Sequence, residues 1–118
     1  MKDASKAKRI QRMKRAARTR AKIFGTQKRP RLAVFISNKH IYAQLINDEK
    51  GNTLTSASDL ELKEKAPKTK KAVLVGQLIA KKANEQDVKE AIFSKGGYKY
   101  HGALKAVAEG AREGGLKF

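Results

Sequence analysis

The sequence contains no cysteine and no long apolar run, and these absences narrow the range of functions. Without cysteine the chain forms neither disulfides nor thiolate metal sites, which fits a reducing compartment. Apolar stretches such as residues 32–36 are far too short to span a bilayer, and no apolar segment follows the charged N-terminus. With 118 residues, we expect one cytoplasmic domain with a modest core and no membrane partner.

Acidic residues are nearly absent from the N-terminal segment. Of the first 31 residues, 13 are Lys or Arg and only Asp3 is acidic, so this segment carries +12 of the net charge of +17. The remaining 87 residues carry a net charge of only +5. We predict that residues 1–30 form a basic RNA-binding arm and linker, and that residues 31–118 form a globular domain. A nucleic acid is the expected partner, because neutralising its phosphates releases condensed counterions.

The arm has the composition of a helix. Residues 4–24 contain neither proline nor glycine, and Ile10, Met13 and Phe24 share one thin apolar stripe with two alanines. Gly25 is the predicted stop, and residues 25–30 are the predicted linker. A solvated tail is the simpler alternative, and a membrane-surface helix is weaker because the stripe is mostly alanine. The candidate RNA-binding residues of the arm are Arg9, Arg12, Lys14, Arg15, Arg18, Arg20 and Lys22.

The body opens with a strand pattern. Apolar residues alternate in residues 32–36 and 41–46, and a Ser/Thr-rich third strand, residues 53–58, follows a turn at residues 47–52. In the first strand both alternating sets are apolar, which predicts that this strand is covered on both faces.

Helical patterns follow the three strands. Residues 60–68 read as a loop, and Thr69 is a fair N-cap for a helix running to about residue 86. A buried strand, residues 88–94, precedes a last helix, residues 103–112. The apolar faces of the two helices are Ala72, Val75, Ile79 and Ala83, then Leu104, Val107, Ala108 and Ala111. This order predicts an α/β fold: a small mixed sheet, made of a three-stranded antiparallel meander plus one crossover strand, with packed helices and a basic N-terminal helical arm.

A glycine-rich loop between the last strand and the last helix is a second candidate site. Its glycines permit close backbone approach, its tyrosines can stack on bases, and its lysine can meet a phosphate. An ordinary strand-to-helix turn explains the composition about as well. The candidate residues of this loop are Lys95, Gly96, Gly97, Tyr98, Tyr100, His101 and Gly102.

The turn between the first two strands is a third candidate. It combines polar, basic and aromatic groups that suit an RNA groove or a splayed base, although a hairpin turn beside an edge strand is the plainer interpretation. The candidate residues are Ser37, Asn38, Lys39, His40, Tyr42 and Gln44. Two histidines without paired acids or cysteines make a poor metal site, so we expect none.

Catalysis finds little support in the sequence. The acids of the body fall in predicted turns and loops, and neither a serine elbow nor a nucleotide-binding fingerprint occurs. We therefore expect a binding protein without cofactor or small-molecule substrate. The rival hypotheses are a non-specific nucleic-acid-compacting protein and, with less support, a metal-dependent nuclease.

Three runs resemble a known family across essentially the whole chain. Residues 29–35 (RPRLAVF), 37–44 (SNKHIYAQ) and 96–102 (GGYKYHG) look like bacterial ribosomal protein eighteen of the large subunit, and residues 111–116 (AREGGL) are also similar. The chain departs from the family pattern at Ile36, at Ser94 with Lys95, and at Ala103, where arginines or an Asp-Arg pair are common.

The resemblance implies a fold and a function. A family member is a structural protein of the large subunit that binds 5S ribosomal RNA and helps to attach it to 23S ribosomal RNA in the central protuberance, near the ribosomal protein numbered five. Its fold is a small mixed sheet with packed helices. The matching RNA-binding positions are Arg31 and the candidate residues of both loops other than Lys95, and Arg29 is a further candidate beside them. Lys95 would then act as a point charge.

Overall fold

The structure, a computed structural model, describes residues 2–37, 39–62, 67–94 and 102–118. Within these ranges the chain forms α1 (Lys2–Lys22), β1 (Arg31–Ile36), β2 (Ile41–Asn47), β3 (Asn52–Ser58), a 3-10 turn (Asp59–Glu61), α2 (Lys68–Glu85), β4 (Ile92–Ser94) and α3 (Ala103–Glu113).

The four strands form one mixed sheet in the order β3-β2-β1-β4. β1 pairs antiparallel with β2, β2 pairs antiparallel with β3, and β4 joins β1 in parallel after the α2 crossover. The predicted α/β fold is confirmed. We call the edge where β1 and β4 begin the lower edge, and the edge where they end the upper edge. A six-residue strand separates the two edges by about 20 Å.

The core lies between one face of the sheet and two helices. α2 packs on β2 and β3, and α3 packs on α2 and β1. The predicted apolar faces of both helices are buried, because their three- and four-residue spacing turns them toward the sheet. The sheet side of the core consists of Leu32, Val34, Ile41, Ala43, Leu45 and Ala57.

Phe35 corrects the expectation that β1 is covered on both faces. Leu32, Ala33 and Val34 are buried as expected, but the Phe35 side chain is 50% exposed. The reason is that α2 and α3 both pack against the face that carries Leu32 and Val34. Successive side chains of a strand alternate between faces, so Phe35 lies on the other one.

Two glycines let α2 and α3 approach very closely. A Cβ on Gly76 would lie 2.2 Å from the carbonyl oxygen of Val107, and a Cβ on Gly110 would lie 2.2 Å from that of Val73. Each helix backbone therefore occupies the space in which a side chain of the other would stand.

Two predicted boundaries are wrong. α2 begins at Lys68 with Pro67 at the cap position, so Thr69 lies within the first turn and is not the N-cap. The fourth strand is only Ile92–Ser94, shorter than predicted at its start. Asp87 adopts a left-handed conformation with φ 58°, and the backbone N–H of Val88 then donates to the Ala83 carbonyl. Val88 is buried at the C-terminal end of α2. An apolar residue at this position gives a sequence pattern like that of a buried strand.

Candidate nucleic-acid interface

The basic arm is an exposed helix. α1 has 21 residues, which gives it a length of about 30 Å. Its described cationic side chains are exposed at Lys6, Lys8, Arg9, Arg12, Lys14 and Arg18, and half-buried at Arg15. The side chains of Arg20 and Lys22 lie outside the described part. The predicted apolar stripe is solvent-exposed at Ile10 and Met13. The arm therefore presents a dense array of positive charge.

A carboxylate at the lower edge fastens the arm to the body. Asp48 Oδ2 accepts a hydrogen bond of 2.7 Å from the backbone N–H of Gly25, and the Asp48 backbone N–H donates to the Gly25 carbonyl at 2.9 Å. The same carboxylate accepts the Arg31 guanidinium twice, from Nε at 3.1 Å and from Nη2 at 3.2 Å. The Arg31 and Asp48 side chains are only 13% and 9% exposed. We call Gly25, Arg31 and Asp48 the joint.

Glycine is required in the joint by close packing. A Cβ on Gly25 would lie 2.4 Å from the Arg31 backbone nitrogen and 2.5 Å from the Ile46 carbonyl oxygen. Backbone atoms cannot move aside as a flexible side chain can, so a larger residue would push the segment off the sheet. α1 ends at Lys22, three residues before the predicted stop at Gly25, and Gly25 is instead the point at which the arm attaches to the body.

The remaining residues of the predicted linker are hydrogen-bonded as well. The Thr26 backbone N–H donates to the Arg29 carbonyl at 3.0 Å, and Asn47 Nδ2 donates to Gln27 Oε1 at 3.3 Å. The Pro30 carbonyl accepts from the Ile92 N–H at 2.9 Å. Residues 25–30 thus dock on the lower edge, and the Arg29 side chain remains exposed there.

At the upper edge, Ser37 and His40 close a tight turn. The Ser37 N–H donates to the His40 carbonyl at 2.9 Å, and the His40 N–H donates to Ser37 Oγ at 3.0 Å. Lys68 Nζ donates to the Ser37 carbonyl at 3.0 Å, which ties the start of α2 to this turn. Lys39 is exposed, and Asn38 lies outside the described residues.

Buried Asp59 organises this edge. Its Oδ1 accepts the Ile41 N–H at 3.1 Å, and its Oδ2 lies 3.2 Å from His40 Nδ1 and 3.8 Å from Lys71 Nζ. Burial alone would raise the pKa of Asp59, but the Ile41 N–H, His40 and Lys71 together outweigh it and lower the pKa below its ordinary value. The side chains of His40 and Lys71 stay 39% and 31% exposed, so both remain accessible to a ligand.

Tyr42 and Gln44 lie on the sheet face opposite the helices. Tyr42 is 38% exposed, and its ring centroid is 6.3 Å from that of His40. Gln44 is half-buried two residues further along β2. The structure therefore brings His40, Tyr42 and Gln44 together, in continuity with the Ser37 turn.

The glycine-rich loop connects β4 to α3. Ser94, the last residue of β4, pairs with Ala33 in the parallel register, so β4 ends four residues before Ser37 along β1. Gly102 has φ 60° and precedes α3 at the exposed cap position. The other candidates of this loop lie outside the described residues: Lys95, Gly96, Gly97, Tyr98, Tyr100 and His101.

Sequence reasoning missed Phe35, Asp48 and Asp59. The alternation in residues 32–36 predicts cover for both faces of β1, including Phe35, and the sequence places the two acids only in turns and loops. Their only local signal is that each acid directly follows a strand, at Asn47 and at Ser58. Within the described ranges no group of three His, Cys, Asp or Glu residues is placed to hold a metal ion, and no helix is long and apolar enough to cross a membrane.

Comparison with known proteins gives matches over nearly the whole chain. A family model described as ribosomal L18 of archaea, bacteria, mitochondria and chloroplasts matches residues 6–118. Large ribosomal subunit protein uL18 of Thermotoga petrophila is 56% identical over 117 residues, which covers 95% of this chain and 96% of the relative. The proteins of the same name from Limosilactobacillus reuteri and Staphylococcus aureus are 58% and 53% identical over 109 residues. Each of these two matches covers 91% of this chain and 92% of the relative.

Proposed function

The chain belongs to the ribosomal L18 family, and from this premise we propose that it binds 5S ribosomal RNA and helps to attach it to 23S ribosomal RNA in the central protuberance. At the coarser level, it is a structural constituent of the large subunit of the cytoplasmic ribosome, in a family that is not enzymatic. The ribosomal protein numbered five is its proposed neighbour.

The observation that carries the RNA-binding proposal is the basic helix fixed to the body by the joint. A helix about 30 Å long spans many phosphates of an RNA duplex, and its cations are concentrated there because so few acids accompany them. Within the joint, Asp48 accepts a hydrogen bond from Gly25 and pairs with the mostly buried Arg31. The arm therefore leaves the body at a fixed point. A fixed departure point reduces the ordering cost of placing arm and body on one folded RNA.

The upper edge supplies the second proposed contact. Exposed Lys39 and the partly exposed His40 and Lys71 lie within reach of phosphates, while Tyr42 offers an aromatic ring for a base. The upper edge and the joint are about 20 Å apart, so one RNA can engage both. Shape and phosphate contacts then supply most of the affinity, and the edge residues add local recognition.

Titration of labelled 5S ribosomal RNA with the protein at several salt concentrations tests this proposal. If about six to ten phosphates are engaged, affinity should fall by about 10³–10⁵-fold between about 50 and about 200 mM salt. Unlabelled 5S ribosomal RNA should displace the probe, whereas an unrelated RNA duplex should compete poorly. Equal competition by the duplex would indicate a compacting protein, and cleavage of the probe in magnesium would indicate a nuclease.

A second experiment addresses attachment to the large subunit. Sedimentation of a cell lysate should recover the protein with large subunits and with free complexes of 5S ribosomal RNA. Recovery away from both fractions would contradict the proposal.

A further inference from the structure

One face of the sheet carries no helix among the described elements. α2 and α3 pack against the opposite face, where Leu32, Val34 and Ile41 join the core. We call this side the open face; its side chains follow from strand alternation and register, and it is exposed at Phe35 and Tyr42 but buried at Ala33. Its central members are Ala33, Phe35, Tyr42, Gln44, Ser56 and Ser58.

Two large rings are neighbours on the open face. Phe35 and Tyr42 are register partners across β1 and β2, so their side chains stand next to each other. Phe35 is 50% exposed and Tyr42 is 38% exposed. Aromatic rings gain free energy when they leave water, and an exposed neighbouring pair is therefore a surface that a partner can cover favourably.

We propose that Phe35 and Tyr42 form a stacking platform for an unpaired base of ribosomal RNA. This inference rests on the proposed RNA-binding function, in which Tyr42 already offers a ring to a base, and it adds a second ring from Phe35, a residue outside the candidate set. Aromatic side chains on an uncovered sheet bind splayed-out bases because every base offers a π-face to stack on.

The charges around the pair favour RNA over a protein. None of the four strands contains Asp or Glu, so no acidic strand residue repels a phosphate approaching the open face. Exposed Lys39 stands at its upper edge, where the backbone of a stacked nucleotide would need a cation, and His40 lies beside it. The acid in contact with His40 is already engaged, since Asp59 also holds the Ile41 N–H and Lys71.

The size of the apolar area points the same way. A stable protein interface needs about 800 Å² on each partner, with several apolar anchors in its centre. Next to the two rings, the positions on the open face are alanine, serine and glutamine, and the apolar side chains further along that face, Ile46 and Ile92, are half-buried. A surface of two rings is small for a protein partner and suits one or two bases.

The polar groups next to the rings can read a base edge. Gln44 pairs in register with Ser56, and both lie on the open face one step below Tyr42. An amide both donates and accepts hydrogen bonds, and a hydroxyl does the same, so a base lying on the rings meets groups complementary to its edge.

A single tryptophan at the platform gives a direct readout. The chain has no tryptophan, so Phe35→Trp introduces a unique fluorophore that itself stacks well on a base. Addition of 5S ribosomal RNA should reduce Trp emission while the affinity stays at the wild-type level. Lys81→Trp, on the exposed side of α2, is the control and should bind without loss of emission.

Loss of an aromatic ring should weaken binding in a way that loss of a hydroxyl does not. Phe35→Leu and Tyr42→Leu should each lower the affinity about tenfold, whereas Tyr42→Phe should retain it. Both positions are partly exposed, and circular dichroism with thermal unfolding verifies that each variant is folded.

The outcomes separate the platform from the general function. If wild-type protein fails to bind 5S ribosomal RNA, the proposed function itself is wrong. If Phe35→Trp binds with unchanged emission and the leucine variants bind like wild type, the platform is refuted and the function stands. Emission that changes only in assembled large subunits would assign the open face to another ribosomal component and would also overturn the platform.

Discussion

Asp48 and Asp59 make similar contacts at opposite edges of the sheet, but the side chains that they hold are exposed to different degrees. Each follows a strand, each accepts a backbone N–H, and each attracts cationic side chains. At the joint, the cation is enclosed with its acid, since Arg31 is only 13% exposed. At the upper edge, Asp59 is buried but His40 and Lys71 keep 39% and 31% of their surfaces.

This difference shows that some cationic side chains of a highly basic protein are held within the fold, while others stay accessible to RNA. A guanidinium held twice by a mostly buried carboxylate is committed to the fold, because freeing it would leave that carboxylate without its counter-ion. Lys71, a cation beside the buried Asp59, is oriented by the acid but remains able to meet a phosphate. A prediction of RNA contacts from charge alone therefore overlooks the contribution of Arg31 to the stability of the fold.

Removing the arm should have the largest effect on RNA binding. Deletion of residues 1–24 should weaken binding of 5S ribosomal RNA by about 100-fold or more, because most phosphate contacts are lost. The body should stay folded, since its core consists of side chains from the sheet, α2 and α3. Binding titration and urea denaturation measure the two effects.

A matched variant separates charge from the mere presence of the arm. Ile10→Ala with Met13→Ala removes the exposed stripe but keeps every cation, and it should bind nearly as well as wild type. Unfolding of the truncated body would contradict the division into arm and domain.

Breaking the joint should cost more stability than any single change at the upper edge. Asp48→Ala leaves the Arg31 guanidinium and the Gly25 N–H without their acceptor, so we expect a loss of about 3 kcal/mol in the free energy of unfolding. Urea denaturation measures it. Glu49→Ala, at the exposed neighbouring position, is the control and should change stability little. Equal stability of the two variants would show that the joint is dispensable.

At the upper edge, Asp59 should contribute to the pH dependence of the free energy of unfolding. The pKa of Asp59 in the folded state lies below its ordinary value of 3.8, so ionised Asp59 stabilises the fold above that pH. The contribution is lost as the pH falls through the folded-state pKa. Asp59→Asn should be less stable than wild type by about 1–2 kcal/mol at neutral pH, and the difference should shrink in acid.

Glu61 provides the matched control for that experiment. Lys82 and the Ser58 N–H also lower the pKa of Glu61, but its side chain is 43% exposed and more screened by water. Glu61→Gln should therefore alter the acid dependence less than Asp59→Asn does. A larger effect at Glu61 would reverse the ranking of the two acids.

The smallest expected effect distinguishes Lys39, a cation exposed at the surface, from Arg31, a cation enclosed in the fold. Lys39→Gln should lower the slope of log affinity against log salt by about 0.7–0.9, with stability within about 0.5 kcal/mol of wild type. Arg31→Gln should do the opposite, with a clear loss of stability and little change in the slope. Salt titrations and urea denaturation on both variants test this pair, and an unchanged slope for Lys39→Gln would remove it from the interface.

Local pattern predicted what depends on local spacing. Alternation located β1 and β2, a Ser/Thr-rich run after a turn located β3, and three- and four-residue spacing located the buried faces of α2 and α3. It failed where a distant segment decides the outcome. Asp48 and Asp59 reach partners 17 to 23 positions away in the sequence, and nothing near them marks those partners.

Two further failures have the same origin. Phe35 fits a buried strand, and only the packing of both helices on one face exposes it. Val88 has the character of a strand residue, but it closes α2 after the turn at Asp87. For the candidate site, the sequence pointed to the turn and the arm, where the structure exposes cations such as Lys39 and Arg12, whereas the enclosure of Arg31 required the fold.

The mutual approach of Gly76 and Gly110 restricts how this chain can vary. At each glycine the obstacle is a backbone carbonyl of the other helix, so trimming a neighbouring side chain cannot make room for a new methyl group. A replacement at either position has no second-site suppressor among the side chains and requires the helices to separate. Library selections for a folded body should therefore keep glycine at both positions even when RNA binding is not selected.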